Sequence, residues 1–150
     1  MKISRTALAI LGSIAVAASL SACSATVSLE AAIDANNPAC AEVSVRLPDA
    51  VADQQKRATD AQATGAWGEP SSVILRCGLE PVNVSSLTCV TASEVDWVVD
   101  DSKSPSYRFI TFGRKPATEV IVDSTVVAGV TALDSLAQAV KSIPASKTCK

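Results

Sequence analysis

Two apolar runs around a short turn decide how this chain folds: YRFITF at 107–112, GRKP at 113–116 and TEVIV at 118–122. Both runs are rich in β-branched and aromatic residues, which pack well on a pleated, half-buried surface. The intervening segment contains glycine and proline, which are typical of turns. The pattern therefore predicts two antiparallel strands joined as a hairpin.

Further elements are predicted on either side of this hairpin. Strand-like runs lie at 72–77 and 95–99, whereas 49–66, 78–86 and 100–106 have the polar composition of loops. Asn37 followed by Pro38 is an N-cap signal for a helix that extends to about Leu47 and ends at Pro48. A second helix is predicted from about Val130 to Ser142, where apolar residues recur at helical spacing.

These elements predict an α+β fold. We expect a small, twisted, mostly antiparallel sheet of roughly three to five strands. The C-terminal helix should pack on one face of that sheet, in addition to the short N-terminal helix.

The N-terminus has the layout of an export signal. Lys2 and Arg5 precede an apolar run from about Ala7 to Leu20, which is shorter than the roughly 20 residues that a membrane span requires. The run closes with Leu-Ser-Ala-Cys at 20–23, which resembles the bacterial lipobox. In such signals, the cysteine receives diacylglycerol and the chain is cut before it. The alternative is an ordinary signal peptide cleaved near Ala22.

We therefore expect three regions: a signal peptide at 1–22, a lipidated Cys23 with a tether at 23–37, and one domain at 38–150. The expected location is the outer face of a bacterial cytoplasmic membrane, with palmitate or a related acyl chain on Cys23. Cleavage removes two of the 13 basic residues and none of the 15 acidic ones, so 11 basic against 15 acidic residues leave a net charge of −4. This charge argues against nucleic acid or an anionic membrane surface as a partner, because both select basic faces.

Four cysteines remain after Cys23, and an even number in an exported chain predicts two disulfides. Three pairings are possible. We favour Cys77–Cys89, which closes a short loop, together with Cys40–Cys149, which ties the two ends of the domain. Metal binding is the weaker alternative, because the chain has no histidine and no Cys-x-x-Cys spacing.

The sequence contains no recognisable catalytic set. Without histidine, Ser-His-Asp and Cys-His arrangements are impossible, and neither Gly-x-Ser-x-Gly nor Ser-x-x-Lys occurs. One cluster deserves testing as a ligand site, since arginine beside tryptophan on a sheet can bind a carboxylate, a phosphate or a sugar. Its members are Arg76, Arg114, Trp67 and Trp97. In the alternative interpretation, the arginines pair with Glu119, Glu69 or Asp96 and the tryptophans fill the core.

Several short motifs occur in a characteristic order. They are Cys40, Leu-Pro-Asp at 47–49, Trp-Gly-Glu-Pro at 67–70, Val-Ile-Leu-Arg-Cys-Gly at 73–78, Val-Asp-Trp at 95–97, and Phe-Gly-Arg-Lys-Pro at 112–116 leading into Glu-Val at 119–120. This arrangement resembles the actinobacterial lipoprotein family called domain of unknown function 3515. The resemblance implies an envelope lipoprotein or membrane-associated protein, and it supplies no activity, ligand or catalytic residue.

These observations favour a non-enzymatic cell-envelope module that binds a partner protein or a wall component, without a cofactor. The alternative is a small-ligand carrier or receptor that uses the four Arg and Trp residues. A cell-wall hydrolase is the third candidate.

Overall fold

The computed structural model describes residues 25–149, so the predicted signal peptide and Cys23 lie outside the described residues. The elements follow one another along the chain as α1 (Pro38–Ser44), β1 (Ala50–Val51), β2 (Gln54–Arg57), β3 (Thr64–Trp67), β4 (Val73–Leu79), β5 (Thr88–Ala92), β6 (Val95–Lys103), β7 (Ser106–Thr111), β8 (Ala117–Asp123) and α2 (Gly129–Val140).

All eight strands belong to one antiparallel sheet, in the order β1-β2-β3-β4-β8-β7-β6-β5. The predicted hairpin is confirmed as β7 and β8, in which Phe109 pairs with Val120. The α+β class is also confirmed, but the prediction of three to five strands was too low. The missed strands are the two-residue β1, the polar β2, β3 with its buried Thr-Gly-Ala-Trp, and β5.

The two helices match their predicted positions closely. Asn37 caps α1, because its side-chain oxygen accepts a hydrogen bond from the backbone N–H of Ala39 at 3.0 Å. The helix ends at Ser44, three residues before the predicted end, and α2 begins at Gly129 and ends at Val140. Neither helix within residues 25–149 is long and apolar enough to cross a membrane.

Alternation along the strands gives the sheet two different faces. On the helix face, alternate residues such as Leu75, Val120 and Phe109 join a core that includes Leu133 and Leu136 of α2. The opposite face, called here the second face, carries a smaller apolar cluster built on Val98, Ile110 and Ala117.

The structure contains two disulfides, as predicted, but the predicted pairing was wrong. The bonds join Cys40 to Cys77 and Cys89 to Cys149. Cys77 points into the core on the helix face, where α1 brings Cys40 beside it, whereas Cys89 lies against the cluster on the second face. Cys77 and Cys89 are therefore separated by the sheet and cannot bond.

Residues 25–37, predicted to be a tether, are attached to the domain over much of their length. Val27 forms a parallel bridge with Thr59, and the N–H of Asp34 donates to the carbonyl of Gly78 at 3.0 Å. Gly78 has a φ of +110°, and a Cβ there would lie 2.5 Å from the backbone nitrogen of Ala35. The contacts of the folded domain thus begin before Pro38.

Candidate functional site

The two tryptophans of the predicted ligand cluster lie in the core. Trp67 and Trp97 are both fully buried on the helix face. The indole N–H of Trp67 donates to the carbonyl of Pro48 at 3.0 Å, whereas that of Trp97 has no partner among the described residues. Arg76 lies between Leu75 and Cys77, which face the core, so its side chain is on the second face. The four predicted residues are therefore not brought together in one site.

Arg76 belongs to a charged cluster on the second face. Its Nε donates to Oε1 of Glu119 at 2.6 Å, and Arg108 donates to the other carboxylate oxygen. The Glu119 side chain is 1% exposed, whereas those of Arg76 and Arg108 are 28% and 38% exposed. One buried carboxylate is thus neutralised from two neighbouring strands, and the predicted pairing of Arg76 with Glu119 is confirmed.

This charged cluster borders a shallow hollow of about 370 Å³. Ala31, Ile33 and Glu80 line the hollow together with the two arginines. A ligand here would compete with Glu119 for the guanidinium groups, and Arg76 also approaches the carbonyl of Glu30 at 3.5 Å. The contacts of Arg76 are therefore those of a structural ion pair.

Arg114 has a different role, which is to hold the C-terminal tail, residues 141–149. Its buried guanidinium donates to the carbonyl of Ile143, and its pKa is lowered by burial, an effect that nearby Asp96 opposes. The neighbouring Gly113 accepts from the N–H of Ser146 at 2.7 Å. Gly113 has a φ of +68°, and a Cβ there would collide with the carbonyl of Lys147.

Asp96 completes the attachment of this tail. One of its carboxylate oxygens accepts from the N–H of Cys149 at 2.8 Å, and the other accepts from the hydroxyl of Thr91 at 2.6 Å. The Cys89–Cys149 disulfide lies beside these bonds. The motif at 112–116 and the Asp-Trp pair at 96–97 thus have structural functions in tail docking and core packing.

An apolar groove of about 330 Å³ is the concave feature that sequence analysis missed. It lies between the start of α2 and strands β5, β6 and β7. Its main lining residues are Val90, Val99, Tyr107, Phe109, Val130 and Leu133, and no charged residue of the described chain lines it. Val130 is 64% exposed at the rim. The helical period identified Val130 as core-facing, but nothing in the sequence shows that α2 leaves this part of the sheet uncovered.

A wider hollow of about 810 Å³ separates residues 83–87 from the C-terminal tail. Its lining mixes Val84, Leu87 and Phe112 with serines, Asn83 and Lys147. This mixed surface is less suited to one defined ligand than the apolar groove, because binding sites combine a largely apolar lining with few polar groups.

Metal chemistry finds no support in the described chain. Within residues 25–149, no group of three or more cysteine, aspartate or glutamate side chains is arranged to hold an ion. The four cysteines of this part are bonded to one another.

Comparison with known proteins agrees with the motif pattern. A family model described as a protein of unknown function, DUF3515, matches residues 5–148. The chain belongs to the DUF3515 family. No curated protein and no solved structure matches it significantly. The family description gives no activity for this DUF3515 protein, so its function has to be inferred from the geometry of the domain.

Proposed function

We propose that this DUF3515 protein is a lipid-anchored, non-enzymatic module of the bacterial cell envelope that binds an extended apolar segment of another envelope protein. The observation that supports this proposal is the apolar groove beside β5. The predicted lipidation signal at 20–23 supports the anchor and the extracytoplasmic location.

The position of β5 favours an extended occupant. β5 is the last strand in the sheet order and, among the described strands, pairs only with β6. The outer edge of such a strand offers backbone N–H and C=O groups to an added strand. Side chains on alternate positions of that added strand then stand beside Val90, at the β5 end of the apolar groove. Backbone pairing supplies affinity, and the groove selects apolar side chains.

Site-specific photo-crosslinking in intact cells tests this proposal. A crosslinking residue at Val90, whose side chain lies on the helix face of β5 and lines the groove, should form one defined protein adduct. The same residue at Gln138, which is exposed on α2 and does not line the groove, should not form that adduct. Val130→Glu should abolish the Val90 adduct, because a charged carboxylate at the rim disfavours apolar side chains in the groove. Equal adducts at Val90 and Gln138 would contradict the proposal.

A small apolar ligand is the second candidate, because a cavity of about 330 Å³ falls in the size range of small-molecule sites. It predicts a low-mass adduct at Val90 that organic extraction recovers. A carrier that binds its ligand through the arginines and tryptophans has less support. Arg76 is already paired with Glu119, and Arg114 is already bonded to the C-terminal tail.

The anchor is tested separately. Metabolic labelling with a palmitate analogue should mark the wild-type protein and leave Cys23→Ala unlabelled and uncleaved. Equal labelling of the two proteins would remove the anchor from the proposal.

A further inference from the structure

We infer that the domain is held directly against the lipid headgroups by its β2–β3 corner, without a flexible spacer. This inference rests on the proposed lipidation of Cys23. The β2–β3 corner is defined here as residues 54–62 together with 68–70. The partner of this surface is the headgroup layer of the bilayer, and the short connection to the lipid on Cys23, not charge attraction, holds the two together.

Contacts of the first described residues carry the inference. The guanidinium of Arg57 donates to the carbonyl of Ala25 at 2.6 Å. Val27 then exchanges backbone hydrogen bonds with the segment after β2, donating to Ala58 at 2.8 Å and accepting from Asp60 at 3.3 Å. The chain is thus fixed to the β2–β3 corner from Ala25 onward.

Further contacts strengthen the attachment of this N-terminal segment to the β2–β3 corner. The N–H of Leu29 donates to the Asp60 carboxylate at 2.9 Å, and this hydrogen bond is the main cause of the lowered pKa of Asp60. Arg57 itself is held in place, because it also donates to the carbonyl of Gly68 at 2.9 Å and lies 3.1 Å from Glu69. The group that grips Ala25 is therefore itself rigidly positioned.

The short connection between Cys23 and Ala25 fixes how the domain is oriented on the bilayer. Cys23 and Ala25 are two residues apart, and two residues span at most about 7 Å. The headgroup region of one leaflet is itself roughly 5–8 Å thick. A lipid on Cys23 that is inserted in the bilayer therefore leaves the β2–β3 corner no room to move away from the headgroups.

The same geometry places the apolar groove away from the anchor. β2 and β5 are separated by six strand spacings in the sheet order, which corresponds to about 29 Å. The groove beside β5 is thereby kept clear of the anchoring point and open to a partner.

Headgroup quenching in vesicles tests this orientation with the full lipidated protein. A fluorescent amino acid is placed at Gln55 on β2 or at Thr88 on β5, both of which are exposed. Lipids that carry a nitroxide on the headgroup should quench the probe at Gln55 several-fold more strongly than the probe at Thr88. A ten-residue Gly-Ser insertion between Ser24 and Ala25 should remove most of that difference while the lipid stays attached.

The outcomes separate the two proposals. Protein that floats with the vesicles but shows equal quenching at Gln55 and Thr88 would overturn the orientation and leave the anchor intact. Protein that does not float with the vesicles would overturn the anchor and, with it, the orientation. Strong quenching at Gln55 that the insertion does not change would also overturn the inference, since contact would then not depend on the short connection.

Discussion

Glu119 is a carboxylate that the sheet buries completely and that two arginines from neighbouring strands neutralise. A buried ion pair contributes little net stability compared with an apolar replacement, yet removing one partner leaves a charge without compensation. Here the two arginines remain partly exposed, so the cost of losing a partner falls mainly on Glu119.

Arg76→Ala and Arg108→Ala should therefore be strongly non-additive. Each single variant leaves Glu119 one guanidinium and should lower the free energy of unfolding by about 1–3 kcal/mol. The double variant leaves the carboxylate alone and should cost more than the sum of the two, by about 1–3 kcal/mol of coupling. Urea unfolding of the four proteins measures this coupling. Adding Glu119→Gln to the double variant should recover part of the loss, and strictly additive effects would contradict the prediction.

Gly113 tests whether the C-terminal tail is part of the folded unit. Gly113→Ala places a methyl group against the Lys147 carbonyl and in a left-handed conformation, so it should destabilise the protein by about 1–3 kcal/mol. The same variant should raise hydrogen exchange at Ser146 and Cys149. Lys115→Ala, an exposed position in the same turn, is the control and should leave the stability nearly unchanged. A melting temperature equal to that of wild type would show that the tail docks without this close contact.

At the scale of single residues, the sequence predicted one partnership well and missed others. Arg76 and Glu119 each interrupt an apolar strand, which already suggested that they pair. The second partner, Arg108, depends on the register of β7 with β8, where Arg108 lies opposite Ile121 and reaches Glu119 diagonally. A local pattern does not fix that register.

At the scale of elements, the two disulfides differ in exposure. Cys40 on α1 and Cys77 on β4 are fully buried, whereas Cys89 and Cys149 are half-buried at the rim of the wider hollow. On the loop-entropy model, the bonds close segments of 37 and 60 residues and stabilise the fold by about 3.8 and about 4.3 kcal/mol. The two disulfides thus contribute similarly to the stability of the fold, but they differ in how accessible their sulfur atoms are to solvent.

Reduction should therefore proceed in two stages. A phosphine reductant should open Cys89–Cys149 in the folded protein and leave Cys40–Cys77 intact, because the reductant has to reach a sulfur atom. Alkylation followed by mass spectrometry identifies the free thiols. In urea, all four cysteines should be alkylated together, and equal reactivity of both pairs without urea would contradict the prediction.

The element predictions succeeded where apolar residues alternate and failed where they do not. In runs such as 107–112 and 118–122, the strand-forming apolar pattern is visible in the sequence itself. β2 reads Gln-Gln-Lys-Arg, and β3 is small and buried on both faces, so tertiary contacts rather than local composition make them strands. The disulfide pairing failed for the related reason that loop length contains no information about which face of the sheet a cysteine occupies.

At the scale of the whole molecule, several surface carboxylates favour the folded state at neutral pH. The pKa values of Asp60, Glu94, Asp100 and Asp123 are all lowered, mainly by hydrogen bonds from Leu29, Lys141, Ser102 and Thr125 respectively. A lowered folded-state pKa means that deprotonation favours folding. This contribution is fully present above the ordinary values of 3.8 and 4.5 and is lost as the pH falls through the lower folded values.

The protein should therefore hold its stability from neutral pH down to about pH 5 and lose it in more acidic solution. Urea midpoints measured between pH 7 and pH 3 check this expectation. Asp60→Asn should remove the acid dependence of amide protection at Leu29 while leaving that at Thr125, which Asp123 holds. Stability that rises as the pH falls below 4 would contradict the assignment.

At the scale of the whole molecule, the sequence correctly predicted the fold class and the family, but it did not predict the apolar groove. That groove could not be predicted, because it is formed by the part of the sheet that α2 does not cover, and the position of α2 on the sheet depends on all eight strands.

The order of the disulfides has a consequence for biogenesis. Both bonds join cysteines that follow one another along the chain, Cys40 with Cys77 and Cys89 with Cys149. On the proposed export route, the N-terminal part emerges first, so Cys40 and Cys77 enter the oxidising compartment before Cys89 does. An oxidant that joins cysteines in their order of arrival then forms the native pairs directly. On this route, we expect maturation of the domain to need an oxidase but no disulfide isomerase.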